Sequence, residues 1–116
     1  SNVVWGVYVS NGTIYAATNG GLSVSSDPQN GWTTYTTANS NLGSNVVRGV
    51  YVSGGMIYAA TSDGLSVSSD PQNSWTTYTI ADGLGINFVF SVYVSDGTIY
   101  AATTNGLSVS QVPTTS

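Results

Sequence analysis

Six side chains of this 116-residue chain carry charge at neutral pH: Asp27, Asp63, Asp70, Asp82, Asp96 and Arg48. There is no His, Cys, Glu or Lys. Ser-His-Asp and Cys-His nucleophilic systems therefore cannot be assembled. General acid–base work would fall to isolated Asp residues or to Tyr. Thiolate metal centres are excluded. Oxygen ligands suffice for Ca²⁺, and Asp63 and Asp82 could project from one rim of the second repeat. Two carboxylates without an acidic cluster read instead as solvated loop residues, so no metal and no cofactor are expected. No glycine-rich phosphate-binding pattern occurs. The expectation is a protein that is not an enzyme.

The stretch that most looks like a site is GLSVSSDPQNGW, Gly21–Trp32. It returns as GLSVSSDPQNSW, Gly64–Trp75, and begins again as GLSVSQ, Gly106–Gln111. Physical reasoning makes it a fastening turn. The Asp27 and Asp70 carboxylates would accept backbone N–H groups of their own turns. Pro28 and Pro71 fix φ just after them. Trp32 and Trp75 would then pack at the start of the next strand. Asn11-Gly12-Thr13 fits a glycosylation pattern, and reads as an ordinary Asn-Gly turn.

The composition sets the frame for these residues. Low charge with abundant Ser, Thr, Asn and Gly is offset by Val, Ile, Tyr and Trp, which are strand formers and scarce in disordered chains. A net charge of −4 with a single Arg argues against nucleic acid and against an anionic membrane surface. No apolar run approaches membrane-spanning length. Scarcity of trypsin-like cleavage sites favours an extracellular or periplasmic setting.

The positioning elements come from an internal repeat. VYVS starts at Val7, Val50 and Val92, steps of 43 and 42 residues. A period in the low forties is that of a four-stranded propeller blade. The apolar pattern within each period alternates, as strands do. Strand A is read at Val3–Ser10, Val46–Ser53 and Phe88–Ser95. Strand B is Thr13–Thr18, Met56–Thr61 and Thr98–Thr103. Strand C is Gly21–Ser26, Gly64–Ser69 and Gly106–Gln111. Strand D is Trp32–Thr37 and Trp75–Ile80. Asn11-Gly12, Gly54-Gly55 and Asp96-Gly97 are two-residue hairpin turns. The small pairs Ala16-Ala17, Ala59-Ala60 and Ala101-Ala102 suit close packing of blade faces.

The predicted fold is thus all-β, a single repeat domain over 1–116. Its first blade spans 1–43, its second 44–85, a partial three-stranded third 86–111, and a tail 112–116. About two and three-quarter blades form an open arc, short of the four a closed propeller needs. The arc must either oligomerise through its blade faces or belong to a longer chain. A dimer closing six blades is favoured over an open polymer.

Differences between the copies point to a binding rim. The start of strand A, the B–C turns, the end of D and the D–A connectors share one rim. It gathers Trp5, Asn19, Gly20, Thr37, Arg48, Ser62, Asp63, Ile80, Phe90, Thr104 and Asn105. Of these, Trp5, Asn19, Arg48, Ser62, Asp63, Phe90, Thr104 and Asn105 are the candidate ligand-binding residues. Trp5, Arg48 and Phe90 occupy one equivalent position. Aromatic rings stack on sugars or peptide groups, and Arg adds directed donors.

Two family resemblances follow from these motifs. Asn41–Ser69 and Gly83–Ser110 resemble the repeats of two-component-regulator sensor propellers, with a GL…N.V lead into strand A and IY.(G/A)T..GL joining strands B and C. Tyr15, Tyr58 and Tyr100 stand where that family usually has Trp. The turns resemble the Asp-box of sialidase-like propellers: Ser25, Asp27 and Trp32 fit its spacing, as do Ser68, Asp70 and Trp75. Gln29 and Gln72 replace the box's Gly. The resemblance implies a propeller, with the box as structure. The sialidase activity would need an Arg cluster and a Tyr–Glu pair, and the single Arg and missing Glu remove it. The expected function is non-catalytic recognition of a carbohydrate or protein. Two alternatives stand: a self-assembling unit of a filament, sheath or surface layer, and a ligand-sensing fragment of a regulator.

Overall fold

A computed structural model describes residues 3–39, 42, 44, 46–71, 74–79, 88–104 and 106–111. Among the described residues eleven strands follow one another: β1 (Val4–Ser10), β2 (Thr13–Thr18), β3 (Gly21–Asp27), β4 (Gly31–Tyr35), β5 (Val47–Ser53), β6 (Met56–Thr61), β7 (Gly64–Asp70), β8 (Ser74–Tyr78), β9 (Val89–Ser95), β10 (Thr98–Thr103) and β11 (Gly106–Gln111). They make three antiparallel meanders, β1-β2-β3-β4, β5-β6-β7-β8 and β9-β10-β11. The fold is all-β, an open arc of propeller-type blades.

Local chemistry explains the meander. At each β1–β2-type turn two successive residues have positive φ: Asn11 and Gly12, Gly54 and Gly55, Asp96 and Gly97. That backbone matches the right-handed twist of the flanking strands. At the B–C turns a Thr closes the corner. Thr18, Thr61 and Thr103 donate their hydroxyls to the carbonyls of Gly21, Gly64 and Gly106 at 2.8, 2.7 and 2.9 Å.

Strand ends differ from expectation in several places: the A strands start one residue late, at Val4, Val47 and Val89, β4 and β8 start one residue early, at Gly31 and Ser74, and β8 ends two residues early, at Tyr78. β3 and β7 run on to Asp27 and Asp70, because those residues pair with Gly31 and Ser74 beyond a bulge. β4 stops at Tyr35, two residues early. The Asn39 side chain takes over there, accepting the Thr36 N–H at 2.8 Å and donating to the Thr34 carbonyl at 3.0 Å. Ile80, Asp82, Asn105 and the tail 112–116 lie outside the described residues.

The sheets stack face to face, with β5 between β1 and β9. Close approach needs a small residue on the inner strand. A Cβ on Gly49 would sit 3.0 Å from the Phe90 carbonyl oxygen. The first junction buries Ala17 and Leu22 with Tyr15 and Val24 against Val47, Val50, Val52, Ile57 and Ala59. The second buries Tyr58, Ala60, Leu65 and Val67 against Val89, Val92, Val94, Ile99 and Ala101. These are the same positions one repeat on. Tyr8, Tyr51 and Tyr93 form a ladder across the inner strands, with centroids 4.9 and 5.0 Å apart.

Candidate functional site

Each inner strand carries a bulge at the same place. Pairing skips between Val4 and Gly6, between Val47 and Gly49, and between Val89 and Ser91. The residues left over are Trp5, Arg48 and Phe90. A bulged residue is freed from the alternation of the strand and re-aimed. Three bulges in register thus set these three side chains in a row along one rim.

The row is tied together. The Arg48 guanidinium carbon lies 4.2 Å from the Trp5 ring centroid and 5.0 Å from that of Phe88. Phe88 in turn meets Phe90 edge-on at 5.2 Å. The Trp5 indole N–H donates to Asn19 Oδ1 at 2.5 Å. Arg48 Nε is buried and has no hydrogen-bond partner among the described residues. Aromatic faces hold a guanidinium by cation–π attraction and fix its plane, while Arg's remaining donors keep their fork geometry. Trp5 and Phe90 are exposed and Arg48 is half-buried.

The B–C turns sit beside this row. The Asn19 and Ser62 N–H groups donate to the Val3 and Val46 carbonyls at 3.3 and 3.1 Å, locking each turn to the start of its strand A. The Gly20 and Asp63 N–H groups donate to Thr18 and Thr61 Oγ1. Trp5, Asn19, Arg48 and Phe90 are therefore brought into one connected group. Ser62, Asp63 and Thr104 occupy the equivalent turns without a described contact to Arg48. Asn105 lies outside the described residues. Phe88 was missed by the sequence reading; its signal was Phe88-x-Phe90 at the head of a strand.

The C–D turn fastens, by a different route from that expected. Ser25 Oγ donates to the Gly31 carbonyl and accepts the Asp27 N–H at 3.0 Å. Ser68 Oγ accepts the Asp70 N–H at 2.9 Å. The Asp27 carboxylate accepts the Asn30 side-chain amide at 2.6 Å, not a backbone donor of its own turn. The serines serve the bulge, and the carboxylate braces the turn outside it. The Trp75 indole donates to the Pro71 carbonyl at 3.1 Å.

The opposite rim holds an open cleft of about 540 Å³ between the first two blades. The A–B turns at Asn11 and Gly54 line it with Tyr15, Ile57, Ser69 and Pro71. No group of three or more metal-ligating side chains occurs among the described residues.

No family profile and no curated protein matches the chain. Solved structures do match it. The computationally designed Ika4 protein superposes with a TM-score of 0.67 at 11% identity, over 95% of this chain and 66% of that one. The extracellular domain of a hybrid two component system from B. thetaiotaomicron gives 0.75 at 19% identity, over 94% of this chain and 16% of that one. The GH74 enzyme of Niastella koreensis gives 0.56 at 22%, over 94% and 18%. At these identities the likeness is one of fold. The chain spans about two thirds of the designed protein and under a fifth of the other two.

Proposed function

We propose that the chain is part of a non-catalytic recognition module that binds a carbohydrate or protein ligand on the Trp5–Arg48–Phe90 rim. One observation carries this reading: three bulges in register aim an Arg and two exposed aromatic residues along one edge. The bulges in β5 and β9 keep Val47 and Val89 on the packing face with the valines that follow them, and each bulge frees one side chain per blade toward the rim. Clamping of Arg48 between Trp5 and Phe88 lowers the entropy it loses on binding. The fork then meets a carboxylate or carbonyl, while Trp5 and Phe90 offer flat apolar faces to a sugar ring or peptide group. The absence of His, Cys, Glu and Lys supports the non-catalytic part. Likeness to an extracellular two-component domain supports a ligand-sensing setting outside the cytoplasm.

The test is binding to glycan and peptide arrays by the chain and by Arg48→Lys, Arg48→Ala and Trp5→Ala. Loss of at least tenfold in affinity for Arg48→Ala is expected, about 1.4 kcal/mol, with Arg48→Lys only partly restoring it. Unchanged binding in all three variants would overturn the reading. Loss of binding on altering Tyr15 or Ser69 instead would move the site to the opposite cleft.

A further inference from the structure

We infer that the two open faces of the arc are complementary and join copies of this chain head to tail. Two blade-to-blade junctions lie inside the chain. Both are built by the same two sets of positions. One set, on the outgoing face, is Tyr15, Leu22 and Val24 in the first blade and Tyr58, Leu65 and Val67 in the second. The other, on the incoming face, is Val47, Val50 and Val52, then Val89, Val92 and Val94.

Both sets occur once more, uncovered. The third blade presents Tyr100, Leu107 and Val109 on its outgoing face, all exposed. The first presents Val4, Val7 and Val9 on its incoming face, all exposed. Leu65 is 4% exposed and its equivalent Leu107 is 64%. Trp75, covered by the first blade, is 6% exposed, and Trp32 is 45%. None of these uncovered residues is charged, so nothing in the two sets repels.

For the 116-residue chain by itself, the occupant that fits each open face is thus the other open face, on a second copy. The contact is heterologous, so it builds either a closed ring or an open series. Large uncovered apolar patches of this kind mark an interface. Joining would also carry the inner-strand tyrosine ladder across, from Tyr93 of one copy to Tyr8 of the next. It would set Phe90 of one copy beside Trp5 of the next, making the rim row continuous.

The test uses the 116-residue chain in light scattering over a concentration series. Two variants block one face each: Val7→Asp with Val9→Asp, and Leu107→Asp with Val109→Asp. All four positions are exposed, so the fold should survive, and circular dichroism checks it. The unaltered chain should assemble. Each variant alone should run at one chain, 11.9 kDa. Their equimolar mixture should form a one-to-one dimer through the remaining good pair of faces. A monomeric unaltered chain would overturn the inference, as would variants that still dimerise alone, because a face would then be pairing with itself. A second readout is Trp emission, which should shift to the blue on concentrating the chain; Trp32→Phe should lessen the shift, and Trp5, also at the junction, carries what remains. A shift unaffected by Trp32→Phe would count against the junction.

Discussion

The middle blade and its two neighbours are nearly the same sequence in different surroundings. Tyr58 is 1% exposed and Tyr100, its equivalent, is 37%. The residue types and strand register match, and the tyrosines pair with Val67 and Val109 in the same way. Burial in this fold is therefore a property of the neighbour. A blade supplies half of each junction, and its own residues cannot cover themselves. Stability should accordingly be uneven along the arc, highest where both faces are covered.

The sharpest way to break this comparison is a matched truncation. Leu65→Ala removes a side chain enclosed between two sheets and should destabilise by about 2–5 kcal/mol. Leu107→Ala removes the same atoms from an open face and should cost within about 0.5 kcal/mol in dilute chain. Urea unfolding of both variants at low protein concentration measures the difference. Equal losses would show that the third blade's outgoing face is already covered in solution. Raising the concentration should then narrow the gap, because Leu107 gains its partner only on assembly.

Much of this was legible beforehand. The period of 43 and 42 residues, strict alternation and three paired-turn dipeptides placed all eleven strands, because each signal is local. The bulges at Trp5, Arg48 and Phe90 were not legible. A bulge changes which residues face each other without changing the spacing of VYVS, so the repeat conceals it. The three positions were found another way, as the places where otherwise identical copies differ. Phe88 escaped because it has no counterpart ring in the other two blades, where Val3 and Val46 stand. The role given to Asp27 went astray for a related reason: sequence shows which polar groups share a turn, whereas the bulge decides that Ser25 meets the backbone.

A smaller contrast lies at the B–C turns. Gly64 has φ +133°, and a Cβ there would stand 2.4 Å from the Tyr78 carbonyl oxygen, on the strand β8 beside it. Gly106 has φ +120°, with nothing within 4 Å of the same point. Both Gly→Ala changes incur the conformational penalty of that backbone region. Gly64→Ala adds a collision with backbone, so it should exceed Gly106→Ala by about 1–3 kcal/mol. Thermal or urea unfolding of the pair reads the gap. A strand covering β11 in solution, from a neighbouring copy or elsewhere, would close it.

The smallest effect concerns alkaline pH. Burial, then the charge on Tyr78, pushes the Tyr58 phenol above its ordinary value of 10.0. The folded chain therefore holds that proton more tightly than the unfolded chain. The contribution is full below pH 10 and is lost as pH rises through the folded-state value. Stability should consequently fall on the alkaline side, and Tyr58→Phe should flatten the fall by removing one of the groups that drives it. Unfolding measured across about pH 9 to 11 gives both slopes. Identical slopes would mean that the Tyr58 phenol ionises as readily in the folded chain as in the unfolded one, so that enclosure between two blades gives it no protection.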